Sequence, residues 1–220
     1  MSAHSAMAAS PAREFRRERG IWIVINSLER AGSLVFLILL TPLIVAVSLA
    51  IIALSGRSPL VAHRRAGQFG MPFWTLKFRS MWAGRSPRPA LIEFIVDDSG
   101  PAYKGSDDPR VTSRFARFCR RFSIDELPQL VNVLRGEMSL VAPRPLTESE
   151  LRKHYGFDTA EVLSVKPGIT GLWQVMGRSR LTYQQRREMD LFLVRNRSLK
   201  LYLTILARTI PTVLKGKDGW

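Results

Sequence analysis

A chain of 220 residues with 46% hydrophobic content and a formal net charge of +15 can bury one compact core and calls for an anionic partner: nucleic acid, acidic lipid headgroups or a phosphorylated substrate. Its single cysteine, Cys119, excludes an internal disulfide framework and fits a reducing compartment. The histidines, His4, His63 and His154, have no metal-ligand spacing, which argues against a zinc site.

Residues 1–18 open on an Ala/Ser-rich stretch without apolar periodicity and read as a flexible tail. A secretory signal is not expected, because the apolar run comes late and Gly56-Arg57-Ser58-Pro59 follows it. Residues 19–55 read instead as a retained, membrane-entering helix. No formal charge falls between Leu34 and Leu54, a run of about 21 residues that suffices for one crossing at ~1.5 Å per residue. Thr41-Pro42 interrupts it: Pro42 has no N–H to donate and its ring crowds the preceding turn, so the helix is expected to kink or break there, with the Thr41 hydroxyl serving a freed carbonyl. Arg13, Arg16, Arg17, Arg19 and Arg30 precede the segment, and Arg57, His63, Arg64 and Arg65 follow it. A straight span sends one basic flank outside, whereas a re-entrant helix-break-helix hairpin keeps both on the cytoplasmic face. An ordinary kinked transmembrane helix and a buried core helix are the other two readings.

Gly67–Pro72 reads as a turn before an alternating stretch, Phe73–Met81. In a strand, Thr75, Lys77 and Arg79 share one face, so two cations could project together toward a diphosphate; a solvated face is the plainer reading. Ala83–Gly105 reads mostly as loop, with at most a short helix over 90–96. From Thr112 to Arg121, phenylalanines and arginines interleave at helical intervals. That pattern suits polyanions, but no nucleic-acid fold pattern accompanies it, and nucleic acid is not an expected partner.

Ser123-Ile124-Asp125-Glu126-Leu127-Pro128-Gln129-Leu130 follows. Ser123 and Glu126 have capping-box spacing, Leu127, Leu130, Val131 and Leu134 form a helical apolar face ending near Gly136, and Pro128 moves the helix start toward Ile124 or Asp125. The acids then either complement a helix dipole or do chemistry. A carboxylate held at a helix N-terminus stays ionised, which makes Asp125 a competent nucleophile, and Glu126 could hold Mg²⁺. Near the C-terminus, Leu199, Leu203, Leu206 and Ile210, with Lys200, Arg208, Lys215 and Lys217, suit a helix on anionic lipid and a core-packed helix equally.

Lys77-Phe78-Arg79-Ser80-Met81, Asp108-Pro109-Arg110-Val111-Thr112, Asp125–Leu130, Pro143-Arg144-Pro145, Lys166–Val175 and Gly177-Arg178 appear in an order that closely resembles the bacterial sugar transferase family. Its members are monotopic phosphoglycosyl transferases, and this chain resembles their minimal catalytic form. The resemblance implies an α+β, mainly helical fold: a re-entrant hairpin broken at Thr41 and Pro42, then a cytoplasmic catalytic domain over 56–220 with interfacial amphipathic helices and a small β element. It implies that Asp125 attacks the β-phosphate of a UDP-sugar, that UMP leaves, and that a polyprenyl phosphate such as undecaprenyl phosphate takes the sugar phosphate from the aspartate. Glu126 becomes the Mg²⁺ ligand, while Lys77, Arg79, Arg120, Arg144 and Arg178 contact phosphates or nucleotide. The implied location is the cytoplasmic face of a bacterial inner membrane rich in anionic lipids. The chain departs from the family at Ala142, where glycine is common, and at Leu191-Phe192-Leu193 with Asn196-Arg197-Ser198, where a more aromatic run is usual. The loops 83–105 and 146–163 are candidates for sugar selectivity. A membrane-tethered anion binder leaves the acidic pair unexplained; a nucleotide-sugar hydrolase would use the same carboxylates with water as acceptor.

Overall fold

The structure is a computed structural model that describes residues 11–82, 90–96 and 111–216. The apolar N-terminal third forms one helix, α1 (Pro11–Ser55). It starts inside the stretch expected to be a tail, of which residues 1–10 lie outside the described residues. Helical backbone continues through Thr41 and Pro42, so of the expected kink or break, the break does not occur at that pair. Pro42 withdraws a donor from the Ile38 carbonyl, and Thr41 Oγ1 donates to the carbonyl one residue earlier, that of Leu37, at 2.7 Å. A proline with hydroxyl back-bonding beside it bends a helix without ending it. Ser27, Ser48 and Ser55 satisfy their hydroxyls on carbonyls four residues back in the same way.

Only 11% of the most apolar window of α1 is buried, which overturns the core-helix reading and leaves a helix long and apolar enough to cross a membrane. It touches the rest of the chain at both ends. Ile25, Glu29 and Ser33 are buried just before the uncharged stretch, and Val47 and Ile51 within its second half. Between them Val35, Phe36, Ile38, Leu39, Leu43 and Val45 are exposed.

After α1, the predicted alternating strand appears as β2 (Pro72–Phe78), paired antiparallel with β1 (Leu60–Ala66) from Leu60↔Phe78 to Ala66↔Pro72. On the other edge of β1 lies β3 (Ile92–Ile95), parallel to it. This strand stands where at most a short helix was expected, because four residues are too few for either period to show. The interleaved Phe/Arg segment forms α2 (Arg114–Arg121), whose first-turn N–H groups are accepted by Ser113 Oγ. Next comes α3 (Gln129–Arg135), ending as predicted at Gly136, whose φ of 80° suits glycine.

A second, two-stranded parallel sheet pairs β4 (Ser139–Val141) with β5 (Gly168–Thr170). The intervening segment, expected as loop over 146–163, is instead helical. It holds α4 (Glu148–Glu150), a π-turn over Leu151–Tyr155, a 3-10 turn over Gly156–Asp158 and α5 (Thr159–Val162). Turns this short have no apolar period, although the Thr147–Glu150 capping box was a readable signal. The chain closes with α6 (Leu172–Met176), α7 (Tyr183–Arg195) and α8 (Leu199–Lys215). Leu191 and Leu193 of α7 point inward while Phe192 is exposed. Tyr202 and Ile205 of α8 pack with Ile25, Val141 and Leu193. Leu199, Leu203, Ile210 and Leu214 form an exposed apolar stripe, so the core-packed reading describes one face of this helix and leaves the other uncovered. The whole is an α+β fold, mainly helical, with one long apolar helix.

Candidate active site

The acidic pair stands where α2 hands over to α3. Ser123 adopts a left-handed backbone, φ 55° and ψ 22°, and Ile124–Glu126 then make a single 3-10 turn. Ser123 N–H donates to the Arg120 carbonyl at 3.1 Å, and Glu126 N–H to the Ser123 carbonyl at 3.1 Å. The expected capping box is absent: Ser123 makes no side-chain cap, and α3 begins only after Pro128. Glu126 is drawn elsewhere, because Lys77 Nζ on β2 lies 2.6 Å from its Oε1.

Ile124 and Leu127, which flank the pair, pack in one cluster with Val47 and Ile51 of α1, Phe78 and Cys119. The two carboxylates therefore sit at the foot of the apolar helix, half-buried. Burial, with the nearby negative charge of Asp125, pushes the Cys119 thiol up to about 11. Cys119 is thus a neutral core thiol at pH 7, and no nucleophile.

Three of the predicted cations belong to segments that meet at this turn. β2 supplies Lys77. The last turn of α2 supplies Arg120, only 8% exposed. Arg178, in the turn after α6, donates from Nη2 to Ser123 Oγ at 3.3 Å. Arg79 does not join them: its Nε donates to the Ser58 carbonyl at 2.8 Å and its guanidinium pairs with Glu93 of β3. The predicted diphosphate-facing pair is thereby divided, with Lys77 at the acidic turn and Arg79 tying β3 to the sheet. Asp108-Pro109-Arg110 lies outside the described residues.

Arg144 follows β4 and faces a second polar cluster. Tyr155 OH donates to Asp190 Oδ2 at 2.7 Å, and Asp190 is only 1% exposed. Burial pushes this carboxyl up to about 7, although the Tyr155 hydrogen bond and the charges of Arg144 and Arg186 pull the other way. Arg186 lies over the rings of Trp173 and Tyr183, 4.8 and 5.2 Å from their centroids. Sequence reasoning missed Asp190, Tyr155 and Arg186. An acid in the same helical turn as the apolar positions 191 and 193 was the available signal.

Backbone packing fixes where Arg144 starts. A Cβ on Gly168 would lie 2.2 Å from Ala142 N, and one on Gly171 2.7 Å from Ala142 O. The glycines of Lys166–Gly171 are thus what lets this segment lie against Ala142-Pro143-Arg144. Ala142, the departure from the common glycine, is itself accommodated with 4% exposure.

A profile of bacterial sugar transferases matches residues 22–216. The chain is 41% identical over 200 residues to a UDP-galactose-lipid carrier transferase of Erwinia amylovora, covering 88% of this chain and 41% of that protein. It is 40% identical over 203 residues to the exopolysaccharide production protein ExoY of Rhizobium meliloti, covering 89% of this chain and 87% of that one. A third relative, the undecaprenyl-phosphate galactose phosphotransferase of Salmonella typhimurium, is 38% identical over 193 residues, 85% of this chain and 39% of its own length. The chain thus spans well under half of two of these relatives and most of the third. With the matched region running from the first membrane-flanking tryptophan to the end of α8, this chain belongs to the bacterial sugar transferase family.

Proposed function

We propose that this chain transfers a sugar 1-phosphate from a UDP-sugar to a polyprenyl phosphate such as undecaprenyl phosphate, releasing UMP, at the cytoplasmic face of a bacterial inner membrane. The observation that carries this reading is the packing of Ile124 and Leu127 on Val47 and Ile51. With α1 in the bilayer, that packing would hold Asp125 where a lipid phosphate can arrive while its chain stays in the membrane. The substrate classes follow those in the names of the Erwinia and Salmonella relatives.

In the first step a carboxylate oxygen of Asp125 forms a bond to the β-phosphorus, the bond from that phosphorus to the bridging oxygen breaks, and UMP departs with that oxygen. In the second, an oxygen of the polyprenyl phosphate bonds to the same phosphorus, the aspartyl oxygen–phosphorus bond breaks, and Asp125 returns as carboxylate. Two displacements replace one more difficult one. Lys77, Arg120 and Arg178 supply cationic donors for the phosphate oxygens, while Arg144, at the neighbouring Tyr155–Asp190 cluster, is available to more distant parts of the donor.

Mg²⁺ fits this donor set. Among the described residues no group of three or more His, Cys, Asp or Glu side chains could cage a metal. Mg²⁺ does not ask for one: it usually takes one or two carboxylates and completes its shell with water and substrate phosphate. Asp125 and Glu126 would provide those carboxylates, and the ion would neutralise phosphate charge. Lys77 holds Glu126 in place for this role.

The way α1 is docked supports a re-entrant course. Ser33 and Val47 are both buried against the same domain. The stretch between them is about 20 Å long at 1.5 Å per residue, short of the ~30 Å hydrocarbon core. A hinge at Thr41-Pro42 would let α1 dip into the bilayer and keep both of its ends on the leaflet it entered. The exposed stripe of α8, with Lys200 and Arg208 beside it, then lies on anionic headgroups.

Incubation with Mg²⁺ and a panel of UDP-sugars, without lipid acceptor, should give a sugar-phosphate adduct on Asp125 by intact-protein mass spectrometry, with UMP released. Asp125→Asn should lower transfer about a thousandfold or more. Undiminished transfer by a folded, membrane-bound Asp125→Asn protein removes the nucleophile. Free sugar phosphate with no lipid product, even when polyprenyl phosphate is supplied, replaces transfer by hydrolysis.

A further inference from the structure

Two non-glycine residues at positive φ meet beside the acidic turn. Ser123 has φ 55° and Arg178 φ 47°, and apart from Phe69 they alone among the described non-glycine residues take this conformation. For an L-residue each costs on the order of 1 kcal/mol, so the surroundings must hold it there. They hold each other: Arg178 Nη2 donates to Ser123 Oγ at 3.3 Å across 55 residues of sequence. Gly177, just before Arg178, is pressed from outside, since a Cβ there would come within 2.9 Å of Leu181 Cγ.

A purely structural pairing would leave the guanidinium satisfied. It does not: Arg178 Nη1 is buried and has no hydrogen-bond partner. A desolvated guanidinium nitrogen without an acceptor is unfavourable, and an anionic oxygen is the acceptor that best relieves it. Ser123 makes no helix cap, the one role its sequence position offered. Its hydroxyl is directed to the arginine instead.

We infer that Ser123 is a positioning residue for the transfer reaction: its left-handed backbone and its hydroxyl hold the Arg178 guanidinium at the Asp125-Glu126 turn, with Nη1 kept for a phosphate oxygen of the nucleotide donor. The inference rests on the reading of the chain as a UDP-sugar transferase. Ser123 touches no substrate and acts through Arg178. The two strained residues are the two halves of one device, and substitution of either unmakes the same anion contact.

The test uses the full chain in detergent or nanodiscs and UMP as probe, since UMP is common to every UDP-sugar. Ser123→Gly keeps the positive φ without steric cost and deletes the hydroxyl together with its Cβ. It should weaken UMP binding about tenfold, the lower end of the scale of one hydrogen bond to a charged group, and raise KM for the donor more than it lowers kcat. Ser123→Asn, which tolerates the left-handed region and restores an oxygen acceptor, should recover most of the loss. Arg178→Lys should weaken UMP binding as well, and the Ser123→Gly, Arg178→Lys double variant should bind no worse than Arg178→Lys alone. Wild-type affinity in Ser123→Gly, no recovery in Ser123→Asn, or additive losses in the double variant each overturn the inference. Failure of the wild-type chain to bind UMP would instead overturn the transferase reading on which it rests.

Discussion

Asp190 carries a pH dependence that can be read in stability. Its carboxyl, ordinarily near 3.8, stands at about 7 in the fold because burial disfavours its charged form. The folded state therefore holds this proton over a range in which the unfolded chain has lost it. Below about pH 4 both states are protonated and no stability is lost; as pH rises from about 4 to 7 the unfolded state is progressively favoured, and above that the cost is constant. The full swing is a few kcal/mol. Asp190→Asn keeps an acceptor for Tyr155 and removes the titration, so thermal unfolding across pH 4 to 7 should lose a downward component that the wild type has. Parallel wild-type and variant profiles would refute the assignment. At the same scale, the identity of the acidic pair was legible in sequence but its local geometry was not. Ser123 and Glu126 have the spacing of a capping box, yet their side chains bond to Arg178 and Lys77, partners 55 and 49 residues away. No local pattern encodes a choice between a near and a distant partner.

The elements were legible in proportion to their length and periodicity. The seven-residue β2 alternates, the face after Pro128 runs to Gly136, and α1 announces itself by composition. By contrast β3 has four residues, and the chain between β4 and β5 folds into turns of three to five residues fixed by tertiary packing. What joins α1 to the rest was also hidden, because it is polar. Glu29, 4% exposed, accepts at Oε1 from Ser139 Oγ at 2.6 Å, Leu140 N–H at 2.8 Å and Tyr202 OH at 2.8 Å. One carboxylate thus binds α1 to β4 and α8 together. Next to it, Arg30 Nε donates to the Leu134 carbonyl at 2.9 Å, serving the C-terminal end of α3. In sequence, Glu29 and Arg30 read as charges at a membrane flank; in the fold they are the joint. Glu29→Ala takes a shared acceptor from three donors and should destabilise the chain by about 2–4 kcal/mol in denaturant unfolding, whereas Glu29→Gln, which keeps the acceptor, should cost less than half of that. Equal losses from both would mean that the charge rather than the acceptor makes the joint.

On the scale of the whole molecule, +15 formal charge accompanies one helix long and apolar enough to cross a membrane. The basic flanks lie on both sides of the uncharged stretch, and both ends of that stretch dock on one catalytic domain, so charge and packing favour the same topology. The chain offers a clean way to measure it. Cys119, its single cysteine, is 2% exposed and kept protonated by burial, so it gives no background to a thiolate-directed reagent. Gly20 has nothing within 4 Å of a built Cβ, and Arg64 is exposed on β1; each can be replaced by cysteine without disturbing packing. If α1 enters and leaves by one leaflet, a membrane-impermeant maleimide should label both Gly20→Cys and Arg64→Cys in inside-out vesicles and neither in spheroplasts. A spanning α1 puts Gly20 on the opposite side from Arg64, so labelling of Gly20→Cys in spheroplasts alone would establish a crossing. In that case Ser33 and Val47 could not both rest on one domain in the bilayer, and the docking of one end would have to give way. The accessibility of one engineered thiol therefore decides whether the carboxylates at the foot of α1 face the leaflet that both ends of the helix share.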